Sequence, residues 1–184
     1  MFTYRIDEEI EFRLPEERFA EEATALVRRN LKHLSEWLPW VHENFSVEDA
    51  LEFVRRNRRN FAENRGYGVH IIYRGQHAGN IGYNNIDWKN RSTEIGYWLA
   101  ASFQGKGIMT RACRAFVSYA FDELKLNRID IRCGVGNTKS RAIPERLGFK
   151  QEGVLRQAEL LRDKYIDLVA YAMLAEEWRE LREK

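Results

Sequence analysis

The chain opens on a segment, "EIEFRLP", that alternates polar and apolar positions and predicts a strand ending at Pro15. The period then changes, with Phe19, Ala23, Leu26 and Val27 recurring at helical spacing between Glu16 and Asn30. "HLSEWLPWV" is aromatic and broken by Pro39, so only a short turn of helix is expected there. A long helix should follow, capped by Ser46 with Asp49 reaching back, and carrying Leu51, Val54 and Phe61 on or near one face.

From Tyr67 the pattern becomes that of strands. The segment to Ala101 is rich in Ile, Val, Tyr and Trp and is cut by "RGQ" and "DWKNR", which predicts three antiparallel strands in a meander. A helix to about Leu124 comes next, then a short strand at "RIDIRCGV" and a helix at "SRAIPERLG" ended by Gly148. Two further strands are expected around "FKQEGVLRQAEL" and "KYIDLVAYAML". The order is mixed α/β with antiparallel strands predominating. With 184 residues, no repeat, no linker and three prolines, one domain spanning 1–184 is expected.

Composition narrows the classes. The chain is 44% hydrophobic and 32% charged, and no apolar run approaches the roughly 18 residues of a membrane span. Thirty basic against twenty-eight acidic residues give a formal charge of +2, so no direct nucleic-acid binding is expected and any anion site must be local. Cys113 and Cys133 lack metal-type spacing and read as buried free thiols of a reducing compartment. "MFTYRIDEEIEF" has acidic residues where a secretory signal needs an apolar core, so a cytoplasmic location is expected. His33, His42, His70 and His77 fall singly, without HExxH or a cysteine partner, and no metal is expected.

The stretch that asks for chemistry is the junction Gln104-Gly105-Lys106-Gly107, between an apolar strand and a helix. A helix start has unpaired N–H groups and a partial positive charge, and glycines before it let a phosphate approach the backbone, so Gln104 to Thr110 can cradle a pyrophosphate. Lys106 and Arg111 would add local charge. The junction is not a Walker loop, since no Ser or Thr follows Lys106, and Thr110 stands where GxGxxG needs its last glycine.

The string Q-G-K-G-I-M at the end of a meander resembles the acetyl-CoA loop of the GNAT N-acetyltransferases, (Q/R)-x-x-G-x-(G/A), with Gln104 and Gly107 matching and Met109 in place of the final small residue. "GYWL", "FQGKGIMTRA", "YAFDELKLNRIDIRC" and "NTKSRAIPERLGFKQEGVLR" together look like the RimJ/RimL branch, over about Glu8 to Trp178. The resemblance implies the GNAT fold, with a central, mostly antiparallel, twisted sheet of about seven strands flanked by about four helices. It also implies acetyl-CoA as cosubstrate, without a metal, and acetyl transfer to a primary amine by direct attack in a ternary complex.

The acceptor so implied is the N-terminal α-amine of a protein, a ribosomal one in particular. A small amine on the same fold is the alternative, and a non-catalytic CoA-sensing or ribosome-associated protein is the reading from another class. A homodimer or higher homo-oligomer is a further implication.

Residue by residue, the resemblance assigns Gln104, Gly105, Lys106, Gly107, Ile108, Met109 and Thr110 to the pyrophosphate loop, and backbone of Tyr97, Trp98 and Leu99 to the thioester carbonyl. Asn137 would hold the pantetheine arm and Ser140 would be the general acid near the sulfur, although both also suit helix capping. For the base it offers Glu159, in "RQAEL", ahead of Glu94, in "STEIG". Trp37, Trp40 and Phe45 are candidates to line the acceptor slot, and the arginines of "VRRNRRNF" a surface for an acidic partner.

Overall fold

A computed structural model describes residues 3–183 of the chain. Strand Thr3–Arg5 (β1) pairs with Ile10–Arg13 (β2), and a single-turn 3₁₀ segment leads into helices Ala20–Arg29 (α1) and Leu31–Ser35 (α2). Helix Val47–Ala62 (α3) begins at a true capping box: the Asp49 N–H donates to Ser46 Oγ, and the Ser46 N–H donates to the Asp49 carboxylate. Val54 is buried on its inner face, but Phe61, in the last turn of the helix, is 51% exposed and meets the Tyr67 ring edge-on.

The meander forms as Tyr67–Tyr73 (β3), Gln76–Asp87 (β4) and Ser92–Leu99 (β5). Helix Ile108–Asp122 (α4) then crosses to Arg128–Gly134 (β6), which is followed by helix Thr138–Arg146 (α5), strands Lys150–Leu161 (β7) and Lys164–Leu174 (β8), and helix Ala175–Glu183 (α6). The sheet has eight strands in the order β1-β2-β3-β4-β5-β6-β8-β7, and every pairing is antiparallel except β5–β6.

The expected seven strands become eight through β1, whose fully exposed residues carry no period and gain strand geometry only by pairing with β2. The expected four helices become six. α2 survives the break at Pro39 by ending before it. α6 was not expected, because a short charged segment reads as polar; it is anchored by Trp178, buried against Phe121.

Two cores lie on opposite faces of the sheet. Isoleucines 71, 81, 95, 129 and 131 pack against the apolar stripe of α4, with Ile143 of α5, Leu147 at its C-cap and Trp178 of α6. The other face carries α1, α2 and α3, joined through Ala20, Val27, Leu34, Val41, Phe45 and Ala50. Asn57 of α3 clamps that layer to the sheet by accepting from the Gly68 N–H and donating to its carbonyl, which gives both ends of a buried amide a partner.

Candidate active site

The feature that creates the site is a failure of pairing. β5 and β6 run parallel through Ser92–Arg128, Thr93–Ile129 and Glu94–Asp130 and then separate. Beyond Glu94 the main-chain groups of β5 that would face β6 are left facing a cleft.

On the α4 side the cleft is a cavity of about 1070 Å³. Each donor-side residue expected from the sequence lines it except Lys106, whose ammonium turns toward the Tyr73 and Phe103 rings. Gly105 and Gly107 have φ of +75° and +70°, and a Cβ at either would meet nothing within 4 Å. Glycine is therefore needed here for backbone conformation, and it leaves open space in front of the helix. Gly107 caps α4 without any side-chain bond, so the N–H groups of Ile108, Met109 and Thr110 begin the helix unpaired. An extended ligand bearing a diphosphate fits this surface.

The charge near this helix start differs from expectation. Arg111 is committed to Asp7 at 2.9 Å and Glu9 at 3.0 Å in the β1–β2 turn, so it serves the fold. Arg111 still lines the cavity, and the lining cations without that tie to the β1–β2 turn are Lys139 and Arg146 of α5. Lys139 donates to Gln104 Oε1 at 2.9 Å, and Gln104 Nε2 lies 2.8 Å from His33 Nε2, so Gln104 ties the glycine loop to α5 and α2. Nothing in the local sequence marks His33, Lys139 or Arg146, which reach the cleft from α2 and α5.

At the mouth of the splay, the Asn137 side chain caps α5 by accepting from the Ser140 N–H at 3.1 Å. Ser140 Oγ is 3.2 Å from Cys133 Sγ, and the Tyr97 hydroxyl donates to the Ser140 carbonyl at 3.0 Å. Burial holds the Tyr97 phenol well above its ordinary range and raises the Cys133 thiol, so both are neutral donors at pH 7. Both cysteines are free and buried. The Trp37 ring lies over this junction: a Cβ at Gly134 or Gly136 would come within 3.0 or 3.1 Å of it.

A second cavity, of about 560 Å³, opens on the α3 side and shares Trp37, Leu38, Tyr97, Trp98, Asn137 and Ser140 with the first. It holds both expected glutamates. It also holds Trp40, whose ring centroid lies 6.1 Å from that of Trp98, and Phe45. Of the arginine run only Arg56 lines it, since Arg55 and Arg58 turn toward Glu17.

Each glutamate is aimed by a β-bulge. The β4–β5 register breaks so that Asn84 and Asn85 oppose Glu94, and the β7–β8 register breaks just before Glu159. Burial raises the Glu94 carboxyl, against the opposing effect of Arg132; burial, followed by the charge of Glu94, raises that of Glu159.

The histidines do not all fall singly. His70 and His77, on adjacent strands, have ring centroids 4.2 Å apart and share Asn80 Oδ1. Burial and the neighbouring His77 push His70 down to about 3, so it is neutral. Among the described residues no group of three or more His, Cys, Asp or Glu could hold a metal ion, and no helix is long and apolar enough to cross a membrane.

A family model described as an acetyltransferase (GNAT) domain matches residues 10–150. The chain belongs to the GNAT acetyltransferases. YdaF of Bacillus subtilis (strain 168), assigned as a ribosomal N-acetyltransferase, is 42% identical over 179 residues, covering 97% of this chain and 98% of its own. The ribosomal-protein-serine acetyltransferase of Escherichia coli (strain K12) is 33% identical over 174 residues, 94% of this chain and 96% of its own. RimL, a ribosomal L7/L12 alpha-N-protein acetyltransferase solved with coenzyme A, superposes with a TM-score of 0.91 at 29% identity, covering 96% of this chain and 99% of RimL. This GNAT chain is thus an N-acetyltransferase, and the cavity with the helix start is the one suited to a CoA ester.

Proposed function

We propose that this protein is an acetyl-CoA-dependent N-acetyltransferase whose acceptor is the N-terminal α-amine of a protein, a ribosomal protein in particular. The observation that carries the reading is the meeting of two cavities over the β5–β6 splay, at Tyr97, Trp98, Asn137 and Ser140. One has a bare helix start and the other a pair of carboxylates. The relatives named for acetylation of ribosomal proteins support the acceptor class.

In this reading the first turn of α4 holds the diphosphate through the N–H groups of Ile108, Met109 and Thr110, and Gln104 keeps the loop in place. Lys106 contributes long-range charge only. Backbone of the Tyr97–Leu99 segment polarises the thioester carbonyl. A carboxylate takes a proton from the acceptor nitrogen, which bonds to the acetyl carbon as the carbon–sulfur bond breaks. Ser140 supplies the proton that leaves with the thiol and regains one from the acylated nitrogen, which sheds its second proton as the amide forms; Asn137 orders the turn that presents Ser140.

An α-amine suits this machinery. At pH 7 an amino terminus of pKa about 7.7 to 8.0 is roughly a tenth neutral, against about 0.04% for a lysine near 10.4. A mildly basic carboxylate suffices for the first and is poorly matched to the second.

The test is acceptor-dependent release of CoA thiol from acetyl-CoA. Peptides with a free N-terminal serine should be turned over, whereas Nα-blocked peptides carrying a free lysine should not. Turnover of spermidine with no response to any peptide amino terminus would replace the acceptor class with small amines. Binding of acetyl-CoA without turnover of any acceptor would favour a sensing role.

A further inference from the structure

The two glutamates of the acceptor slot are held in different ways. Glu94 is fixed at both oxygens: Asn84 Nδ2 donates to Oε1 at 3.2 Å, and Arg132 Nε lies 3.3 Å from Oε2. The clamp is built into the backbone. The β4 bulge places Asn84 opposite Glu94, and the Thr93 hydroxyl pins the bulge by donating to the Asn85 carbonyl at 2.8 Å. Residue 96 is glycine, and a Cβ there would stand 3.0 Å from Asn84 Oδ1 and 3.2 Å from Nδ2. The amide therefore lies across the strand in space that any side chain would take.

Glu159 has neither a hydrogen bond nor an ion pair among the described residues. It follows a bulge in which Gln157 has φ of +50° and its N–H donates to Asp167 Oδ1 at 2.8 Å, so its position is set by backbone and its carboxylate is free. Burial raises both carboxyls, but at Glu94 the Arg132 guanidinium and the Asn84 amide work against that rise and favour the charged form, whereas nothing among the described residues does so at Glu159.

Resting on the acetyltransferase reading above, with Glu159 as the base that the resemblance implies, we propose that Glu94 is not a second base but a fixed anionic post that receives the acceptor's ammonium. Asn84 and Arg132 are positioning residues for the post. One proton passes from the ammonium nitrogen to the Glu159 carboxylate, leaving a neutral amine beside a neutral carboxylic acid, and Glu94 stays charged throughout. Its charge also discourages ionisation of Glu159, which keeps that carboxylate more basic than an ordinary glutamate. The other charged groups of the slot are Asp49, Glu52 and Arg56 on α3 and Arg132 on β6, with Asp130 behind Glu94; among these neighbours the one that acts on Glu159 is Glu94.

The experiment is steady-state kinetics against pH for the full chain, with acetyl-CoA and an N-terminal peptide, on E94Q, E159Q, N84A and G96A. E94Q should raise the acceptor KM about tenfold with kcat within about threefold, and should move the acid limb of the pH profile to lower pH. E159Q should lower kcat by about a hundredfold or more. N84A and G96A should follow E94Q in direction with smaller KM changes, whereas loss of folding alone would lower kcat without moving the limb.

A hundredfold loss of kcat in E94Q with near-normal turnover in E159Q would overturn the proposal, as would an acid limb unmoved in E94Q. Failure of the wild type to release thiol with any acceptor would instead bring down the enzymatic reading beneath it. Calorimetric binding of acetyl-CoA, expected to be unchanged in all four variants, keeps donor and acceptor effects apart.

Discussion

The donor cleft and the acceptor slot meet at the same six residues but are made of different material. The donor side is main chain: two left-handed glycines, the unpaired N–H groups of one helix turn, and the open edge of β5. The acceptor side is side chain, drawn from α1, α3, β3, β4, β5, β6 and β7 and aimed by two bulges. A cosubstrate with an invariant handle can be held by backbone, which side-chain mutation barely alters. The acceptor class is set by groups that can change without disturbing the helix start.

The largest way to break this contrast is charge at the glycine junction. Gly107→Glu should weaken acetyl-CoA binding about a hundredfold or more by calorimetry, since it sets a carboxylate before the helix start. Gly107→Ala carries comparable backbone strain, roughly 1 to 2 kcal/mol, without the charge, and should retain most of the binding. Equal losses in the two variants would mean that conformation, and not the anion site, accounts for the glycine.

Ser140→Ala sharpens the boundary between the cavities. Its kcat should fall about a hundredfold while acetyl-CoA affinity holds, because the backbone groups of the cleft remain. Unchanged kcat would move the proton donor elsewhere, with the Cys133 thiol and the Tyr97 phenol as the neighbouring neutral donors.

A smaller effect is expected at the cap. Asn137→Ala removes the acceptor of the Ser140 N–H and should cost about 1 kcal/mol, lowering Tm by roughly 2 to 4 °C. Donor binding should weaken with it, since α5 also carries Lys139.

The smallest effect concerns stability. The Glu159 carboxyl is raised by burial and by Glu94, so the folded state binds its proton more readily than the unfolded chain does. Its charged form therefore destabilises the fold at neutral pH, and that cost disappears as pH falls through the folded pKa. Glu159→Gln should raise Tm at pH 7, and the gain should vanish in acid. A gain that persisted there would point to packing in place of charge.

Much of the architecture was legible in the residues themselves. The long helix with its Ser46 and Asp49 box, the meander and the α4 stripe each follow from local period and capping, which act over a few residues and need no partner. The glycine loop belongs with them, because left-handed backbone and bare N–H groups are properties of a short segment. β1 and α6 were not legible, since a bare exposed strand and a charged helix take their geometry from β2 and from the pocket around Trp178.

The roles of Arg111 and of the glutamates were likewise decided in three dimensions. Local sequence offered Arg111 to the phosphate, yet Asp7 and Glu9, about a hundred residues earlier, hold it. Both glutamates were visible as candidates, but the clamp on one and the freedom of the other come from bulges on β4 and β7 and from a glycine beside Asn84. Backbone binding chemistry is local and can be read along the chain. Proton chemistry depends on burial, charge and hydrogen bonding among groups far apart in sequence, and only the packed sheet brings them together.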